Sequence, residues 1–322
     1  MAEAKKRAAA KKSSAKKAAA TKTAAKKSVV KKAPAKKAAA KKGVSGYGSG
    51  SVEVVMSVDQ VAKEAASIAA NAPKVSELDA LADGGTFLSI NNLRAGYGKM
   101  EILHDFSLRI GQGQSLCLIG PNGAGKSTVL HSIFGFTNIF SGSIVINGKD
   151  VTTLTPSQKL SEAGIAYILQ DKSVFPQMTV EENLLMGGFL KNKPAEAKAA
   201  AELVFSKYSR LADRRDKPAG VLSGGERRLL EISRALVMQP QVLLVDEPSI
   251  GLEPRFIDMV FEILDDLQHK DGKTIVMVEQ NAKKGLAFAD LGYVLVSGET
   301  AIAGDGDELL ENPDVGRLFL GG

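Results

Sequence analysis

Apolar and polar residues alternate along Phe87–Leu93 and again along Ile102–Ile110. This is the period-two pattern of half-buried antiparallel strands. Further along, the pattern changes. Leu116–Gly120, Ile165–Leu169, Val242–Asp246 and Thr274–Glu279 are short, almost unbroken apolar runs bounded by turns or charges, as expected of parallel strands covered on both faces. Ser143–Asn147 reads as one more strand, and Lys126–Phe134 and the stretch from Gly225 to about Met238 read as helices. Residues 180–220 are polar and helix-prone, with breaks at Pro194 and Pro218. The strand–loop–helix order predicts an α/β core with an antiparallel flank at its N-terminal side and a helical insertion over residues 180–238.

Charge divides the chain. Residues 1–42 carry fifteen Lys, one Arg and one Glu, a net +15 against +6 for the whole chain, so residues 43–322 carry −9. The high pI belongs to this Ala/Lys-rich arm, where Lys pairs repel and nothing apolar can be buried, so disorder is expected. Gly43–Gly50 reads as a hinge closing a 1–50 segment, and residues 51–85 as a linker with a short helix suggested by Val61, Ala65, Ile68 and Ala69. The folded domain is expected to begin at about Thr86 and to run to residue 322. A single cysteine, Cys117, sits inside an apolar run and is expected as a buried strand residue, which excludes an internal disulfide framework. No run reaches the ~18–20 apolar residues of a membrane span, so any membrane role must come through a partner.

The chemistry begins at Gly120-Pro121-Asn122-Gly123-Ala124-Gly125-Lys126-Ser127-Thr128. Placed between an apolar strand and a helix, this pattern is a phosphate-binding loop. Its glycines let successive N–H groups face phosphate oxygens without side chains in the way. Lys126 brings a charge to the β- and γ-phosphates, Ser127 a hydroxyl for Mg²⁺, and Thr128 reaches the α-phosphate region. Val242–Glu247 is an apolar strand ending in two carboxylates: Asp246 suits a Mg²⁺ role, and Glu247 can orient and polarise the attacking water. Leu222-Ser223-Gly224-Gly225-Glu226 is a Gly-rich turn opening a helix, where free N–H groups and a partial positive charge favour anions. A chain with both features can hold one nucleotide between two copies of itself.

From about residue 86 to its end the chain resembles the ATP-binding-cassette (ABC) ATPases, and the resemblance implies a P-loop NTPase cassette with a RecA-like core, an antiparallel β subdomain and a helical subdomain. It assigns Gln170 to the glutamine that contacts Mg²⁺ and water and senses a membrane partner, and Tyr97 to the aromatic that stacks on adenine. Ser249–Pro254 becomes the loop that crosses the dimer seam, and Ser223, Gly224 and Gly225 meet the γ-phosphate of the opposite subunit. The usual switch histidine is absent. Glu279-Gln280-Asn281 stands there, so Gln280 takes that place and can hydrogen-bond but cannot carry charge. His104, His131 and His269 lie elsewhere and read as surface or core residues.

Val174–Gly187, Val278–Asn281 and Glu308–Pro313 resemble the second ATPase of branched-chain amino-acid importers. That branch implies two integral-membrane permeases, a second ABC ATPase subunit in a homo- or heterodimer, an extracytoplasmic solute-binding protein reached indirectly, and a place on the cytoplasmic face of the inner membrane. Urea and amide importers share the branch. A nucleic-acid-associated ABC ATPase anchored by the basic arm is the alternative from another class. One cassette, with about fifty residues between Gln170 and Ser223, argues against it. For the arm itself three readings stand side by side: binding of anionic lipid, binding of nucleic acid, or no role, including a true start near Met56.

Overall fold

The computed structural model describes residues 73–170 and 173–319. The Ala/Lys-rich arm, the 43–50 hinge and the helix expected around Val61–Ala69 lie outside the described residues.

Two sheets organise the molecule. β1 (Thr86–Tyr97), β2 (Met100–Gly111), β4 (Asn138–Ile146) and β5 (Lys149–Asp150) form an antiparallel sheet in the order β2-β1-β4-β5. The first two strands run longer than their alternation implies, because bulges near Asn92 keep the ladder going past Leu93 to the turn at Tyr97–Met100. Likewise β4 begins ahead of Ser143, continuing through the kink at Gly142. There a Cβ would lie 2.5 Å from the carbonyls of Asn91 and Asn92. Ahead of Thr86, α1 (Val75–Leu81) lays Leu78, 1% exposed, into the core. Asp79 of the same helix accepts a 2.7 Å hydrogen bond from the buried Arg109.

The second sheet has the order β10-β9-β3-β8-β7-β6, built from β3 (Ser115–Ile119), β6 (Ile165–Ile168), β7 (Val242–Asp246), β8 (Thr274–Val278), β9 (Leu291–Val296) and β10 (Glu299–Asp305). Every pair is parallel except β9–β10. Both faces are covered. Leu116, Leu118, Leu244, Val276 and Val278 face one hydrophobic cluster, while Cys117, Ile119, Leu243, Val245, Ile275 and Met277 face another. This is why these strands read as continuous apolar runs rather than alternating ones.

Helices fill the connections. α2 (Lys126–Phe134) follows β3, and α3 (Pro156–Ser161) precedes β6. Between β6 and β7 come α4 (Val180–Gly187), α5 (Pro194–Lys207), α6 (Ser209–Ala212) and α7 (Gly224–Leu236). They share a third apolar cluster that includes Val180, Leu184, Val204, Phe205 and Leu230. Pro194 occupies the first turn of α5, where its missing N–H costs nothing. Thr179 and Ser223 open α4 and α7 as capping boxes with Glu182 and Glu226. α8 (Pro254–His269), α9 (Ala282–Phe288), α10 (Gly306–Glu311) and α11 (Pro313–Phe319) complete the chain. Among the described residues no helix is long and apolar enough to cross a membrane. Because β3, β6, β7 and β8 run parallel, the loops after Ile119, Ile168, Asp246 and Val278 open on one edge of the sheet.

Candidate nucleotide-binding site

That edge carries the predicted residues. In the loop after β3, Gly120, Gly123 and Gly125 have φ of 143°, 81° and 101°, conformations that side-chain-bearing residues rarely adopt. At Gly120 a Cβ would also sit 2.2 Å from the Leu295 carbonyl oxygen. Asn122 and Gly123 are exposed, whereas Ala124 and Gly125 are buried against the sheet. Lys126 opens α2 and folds back, donating to the carbonyls of Gly120 at 2.8 Å and Pro121 at 2.9 Å. Burial lowers the pKa of this ammonium, and the carboxylates of Glu247 and Asp246 oppose the shift. Thr128 is buried within the helix, with its carbonyl accepting from Ser132 Oγ at 2.7 Å.

The carboxylates arrive from β7. Asp246 is 6% exposed and accepts from Ser127 Oγ at 3.1 Å and from the Tyr167 hydroxyl at 2.8 Å. Glu247 has φ of 44°, a left-handed conformation that costs a non-glycine residue about 1 kcal/mol. Its N–H donates to the Val278 carbonyl at 2.9 Å, which fixes the turn. Gln170 Nε2 donates to Glu247 Oε2 at 2.7 Å. Burial raises the pKa of Glu247, with the nearby Asp246 and Glu279 charges adding to the rise. Two hydrogen-bonded pairs, Ser127 with Asp246 and Gln170 with Glu247, thus meet at one edge through the adjacent carboxylates, from residues spread over 120 positions of sequence.

The donor set fits a hard divalent cation held beside phosphate. A hydroxyl, a carboxylate and an amide oxygen are the ligands Mg²⁺ takes when substrate phosphates and water complete its shell. Among the described residues no group of three or more His, Cys, Asp or Glu side chains is placed to hold a metal ion by itself.

The remaining candidates make no hydrogen bond to this centre among the described residues. Tyr97 ends β1, 43% exposed. Ser223 and Gly224 are exposed at the start of α7, and Ser223 Oγ makes its hydrogen bonds with Glu226. Gly225 is buried; a Cβ there would meet the Phe256 ring at 2.2 Å. Gln280 is exposed after β8, and the residue turned inward at that point is Glu279, 2% exposed. Its carboxylate accepts from Ser249 Oγ at 2.7 Å, Ser249 N at 3.3 Å and Asn281 N at 2.9 Å.

Glu279 is therefore one residue that motif reading passes over. Arg228 of α7 is another: 4% exposed, it donates to the Leu169 carbonyl and to Glu231 Oε2, each at 2.8 Å, and reaches the Asp246 carbonyl at 3.5 Å. Its only sequence signal is a charge on the apolar face of an amphipathic helix. His131 is the third, hydrogen-bonded through Nδ1 to the Tyr97 hydroxyl.

Comparison with known proteins agrees with this geometry. The family profile described as ABC transporter matches residues 103–250. The chain is 42% identical over 235 residues to the high-affinity branched-chain amino acid transport ATP-binding protein BraG of Pseudomonas aeruginosa, covering 73% of this chain and 100% of that one. It is 38% identical to a probable branched-chain amino acid transport ATP-binding protein, LivF, of Archaeoglobus fulgidus, covering 71% of this chain and 96% of that one. Among solved structures, a nucleotide-free ATP-binding cassette from an ABC transporter superposes with a TM-score of 0.65 at 29% identity, covering 73% of this chain and 98% of that one.

Proposed function

The chain belongs to the ABC transporter ATP-binding family, an ATPase coupled to transport, and from that premise we propose that it is one of two ATPase subunits energising a branched-chain amino-acid importer. One observation carries the catalytic part: Ser127 is hydrogen-bonded to Asp246 and Gln170 to the adjacent Glu247, beside the loop whose Lys126 closes on Gly120 and Pro121.

ATP enters by giving Lys126 phosphate oxygens in place of two backbone carbonyls, while the N–H groups of Gly123–Thr128 surround the phosphates. The Tyr97 ring offers a stacking surface for the adenine. Ser127, Asp246 and Gln170 would hold Mg²⁺, which when bound neutralises charge building on the β,γ-oxygens. Glu247 sits to orient and polarise the attacking water, and Gln170 holds its carboxylate in place. Gln280 stands where a charged switch residue is usual and can only hydrogen-bond. The exposed Ser223–Gly224 turn supplies free helix N–H groups to the triphosphate seated on a second cassette. Hydrolysis is then tied to closing and opening of the pair.

The partners follow from this reading: two integral-membrane permeases, a second ABC ATPase subunit, and a solute-binding protein acting from the far side. The chain would sit on the cytoplasmic face of the membrane through the permeases. The assignment of solute rests on the identity with BraG and LivF, since the ATPase itself never touches the cargo.

Uptake of labelled leucine, isoleucine and valine by cells in which this chain is deleted, or replaced by Lys126→Ala, tests the proposal. Loss of all three, with urea uptake intact, is expected. Intact leucine uptake together with lost urea or amide uptake would move the motor to the other solute class. Loss of neither would end the reading for both of these solute classes and leave another amino acid as the cargo to test.

A further inference from the structure

We infer that His131 is a positioning residue for the nucleotide base: by holding the Tyr97 hydroxyl from the helix that carries Lys126, it fixes the ring on which a purine stacks. The inference deepens the proposed function and rests on its reading of Tyr97 as the base platform.

Tyr97 ends a strand at a hairpin turn and is 43% exposed, so packing alone leaves its side chain free to change rotamer. Among the described residues its one polar tether is at the far end of the ring, where the hydroxyl is hydrogen-bonded to His131 Nδ1. The two rings meet edge to face, with centroids 6.0 Å apart and planes at 82°. That contact uses the rim of Tyr97 and leaves a face for stacking.

His131 is itself held rigidly. It meets Tyr167 at 5.7 Å and 82°, and Phe136 at 5.8 Å and 75°. Tyr167 in turn stacks on Phe134 at 5.6 Å and donates its hydroxyl to Asp246 Oδ2 at 2.8 Å. Burial lowers the pKa of the imidazole, with Asp246 opposing. A neutral ring keeps one nitrogen as an acceptor for the tyrosine hydroxyl. Lys126 and His131 are five residues apart on α2, so the phosphate grip and the base anchor are about 7.5 Å apart along one helix axis. The spacing between the two ends of the nucleotide site is therefore set by a single rigid element.

The full-length protein tests this by equilibrium titration with ATP and, as a base-free probe, with inorganic tripolyphosphate. His131→Leu and Tyr97→Phe each remove one side of the bond and keep an apolar shape. Each is expected to weaken ATP binding by about two- to tenfold, the value of one hydrogen bond, and to leave tripolyphosphate binding as in the parent chain. The double variant should be no weaker than either single one. His131→Asn, which keeps a polar group near the position of Nδ1, should recover most of the loss. Thermal unfolding of each variant shows that the fold is retained. Unchanged ATP affinity in His131→Leu, equal weakening toward ATP and tripolyphosphate, or additive losses in the double variant would each overturn the inference. Tyr97→Ala separates it from its premise. If Tyr97→Ala weakens ATP binding while His131→Leu does not, the anchor fails and the platform stands. If Tyr97→Ala changes nothing, the platform reading fails and takes the anchor with it.

Discussion

Glu247 shows what one residue's surroundings can dictate. Its backbone is held in a left-handed turn, its carboxylate is tied to Gln170, and burial, with the Asp246 and Glu279 charges adding to it, makes loss of its proton harder. In the role proposed for it the ionised form orients water, so the acid-side fall in turnover should come at a higher pH than for an unperturbed glutamate; a pH–rate profile measures this. Glu247→Gln should keep ATP binding and lower turnover by at least about 10²-fold, with ATP-bound dimer accumulating on gel filtration. Lys159 makes a prediction about stability. It is fully buried, donates to the Ser132 carbonyl at 3.2 Å, and burial pulls its pKa down from 10.5 to about 8. Below about 8 it is charged in both folded and unfolded chains, and between about 8 and 10.5 only the unfolded chain holds the proton. Stability contributed by this group therefore rises with pH across that window, by roughly 3 kcal/mol at most. Denaturant unfolding of Lys159→Met should lack that rise. The phosphate-loop glycines, Lys126 and the Asp246–Glu247 pair are legible in sequence, because their spacing is local. Glu279, Arg228 and His131 are not, since each acts on a partner brought near only by the fold, such as Ser249 or Tyr97.

At the scale of elements, the loop between β3 and α2 tolerates no side chain at its first glycine. Gly120→Ala would meet both a φ of 143° and the Leu295 carbonyl at 2.2 Å. It should destabilise the protein by about 2 kcal/mol or more and lose ATP binding, as read by thermal unfolding and nucleotide titration. The core strands were legible because burial on both faces leaves an apolar run that no other element of that length shows. Two further elements carry signals just as plain and stand outside the sequence expectations. Leu291–Val296 is buried along its whole length, as β3 is. Ile257, Val260, Phe261, Leu264 and Leu267 give α8 the three-and-four spacing of a helix behind the Pro254 start. The break near Pro194 was legible too, although proline there starts a helix as well as separating two.

For the molecule as a whole, charge and fold belong to different parts of the chain. Removing residues 1–42 changes the net charge from +6 to −9, so the truncated protein should bind an anion exchanger at neutral pH and leave ATP hydrolysis in place. If the arm binds polyanions, retention of the full chain on DNA or on anionic vesicles should fall steeply with salt and vanish on truncation, and no retention at all would leave the arm without that role. Retention that survives truncation would place any polyanion binding in the cassette. The amide of Gln170 has a consequence at this same scale. It joins the strand that leads into the helical region to Glu247, the carboxylate proposed to ready water, so displacement of that region by a docked permease would also release Glu247. A single 2.7 Å contact would then work as a clutch between load and fuel. Gln170→Ala should let the motor idle, consuming ATP at a rate that no longer responds to whether cargo is waiting.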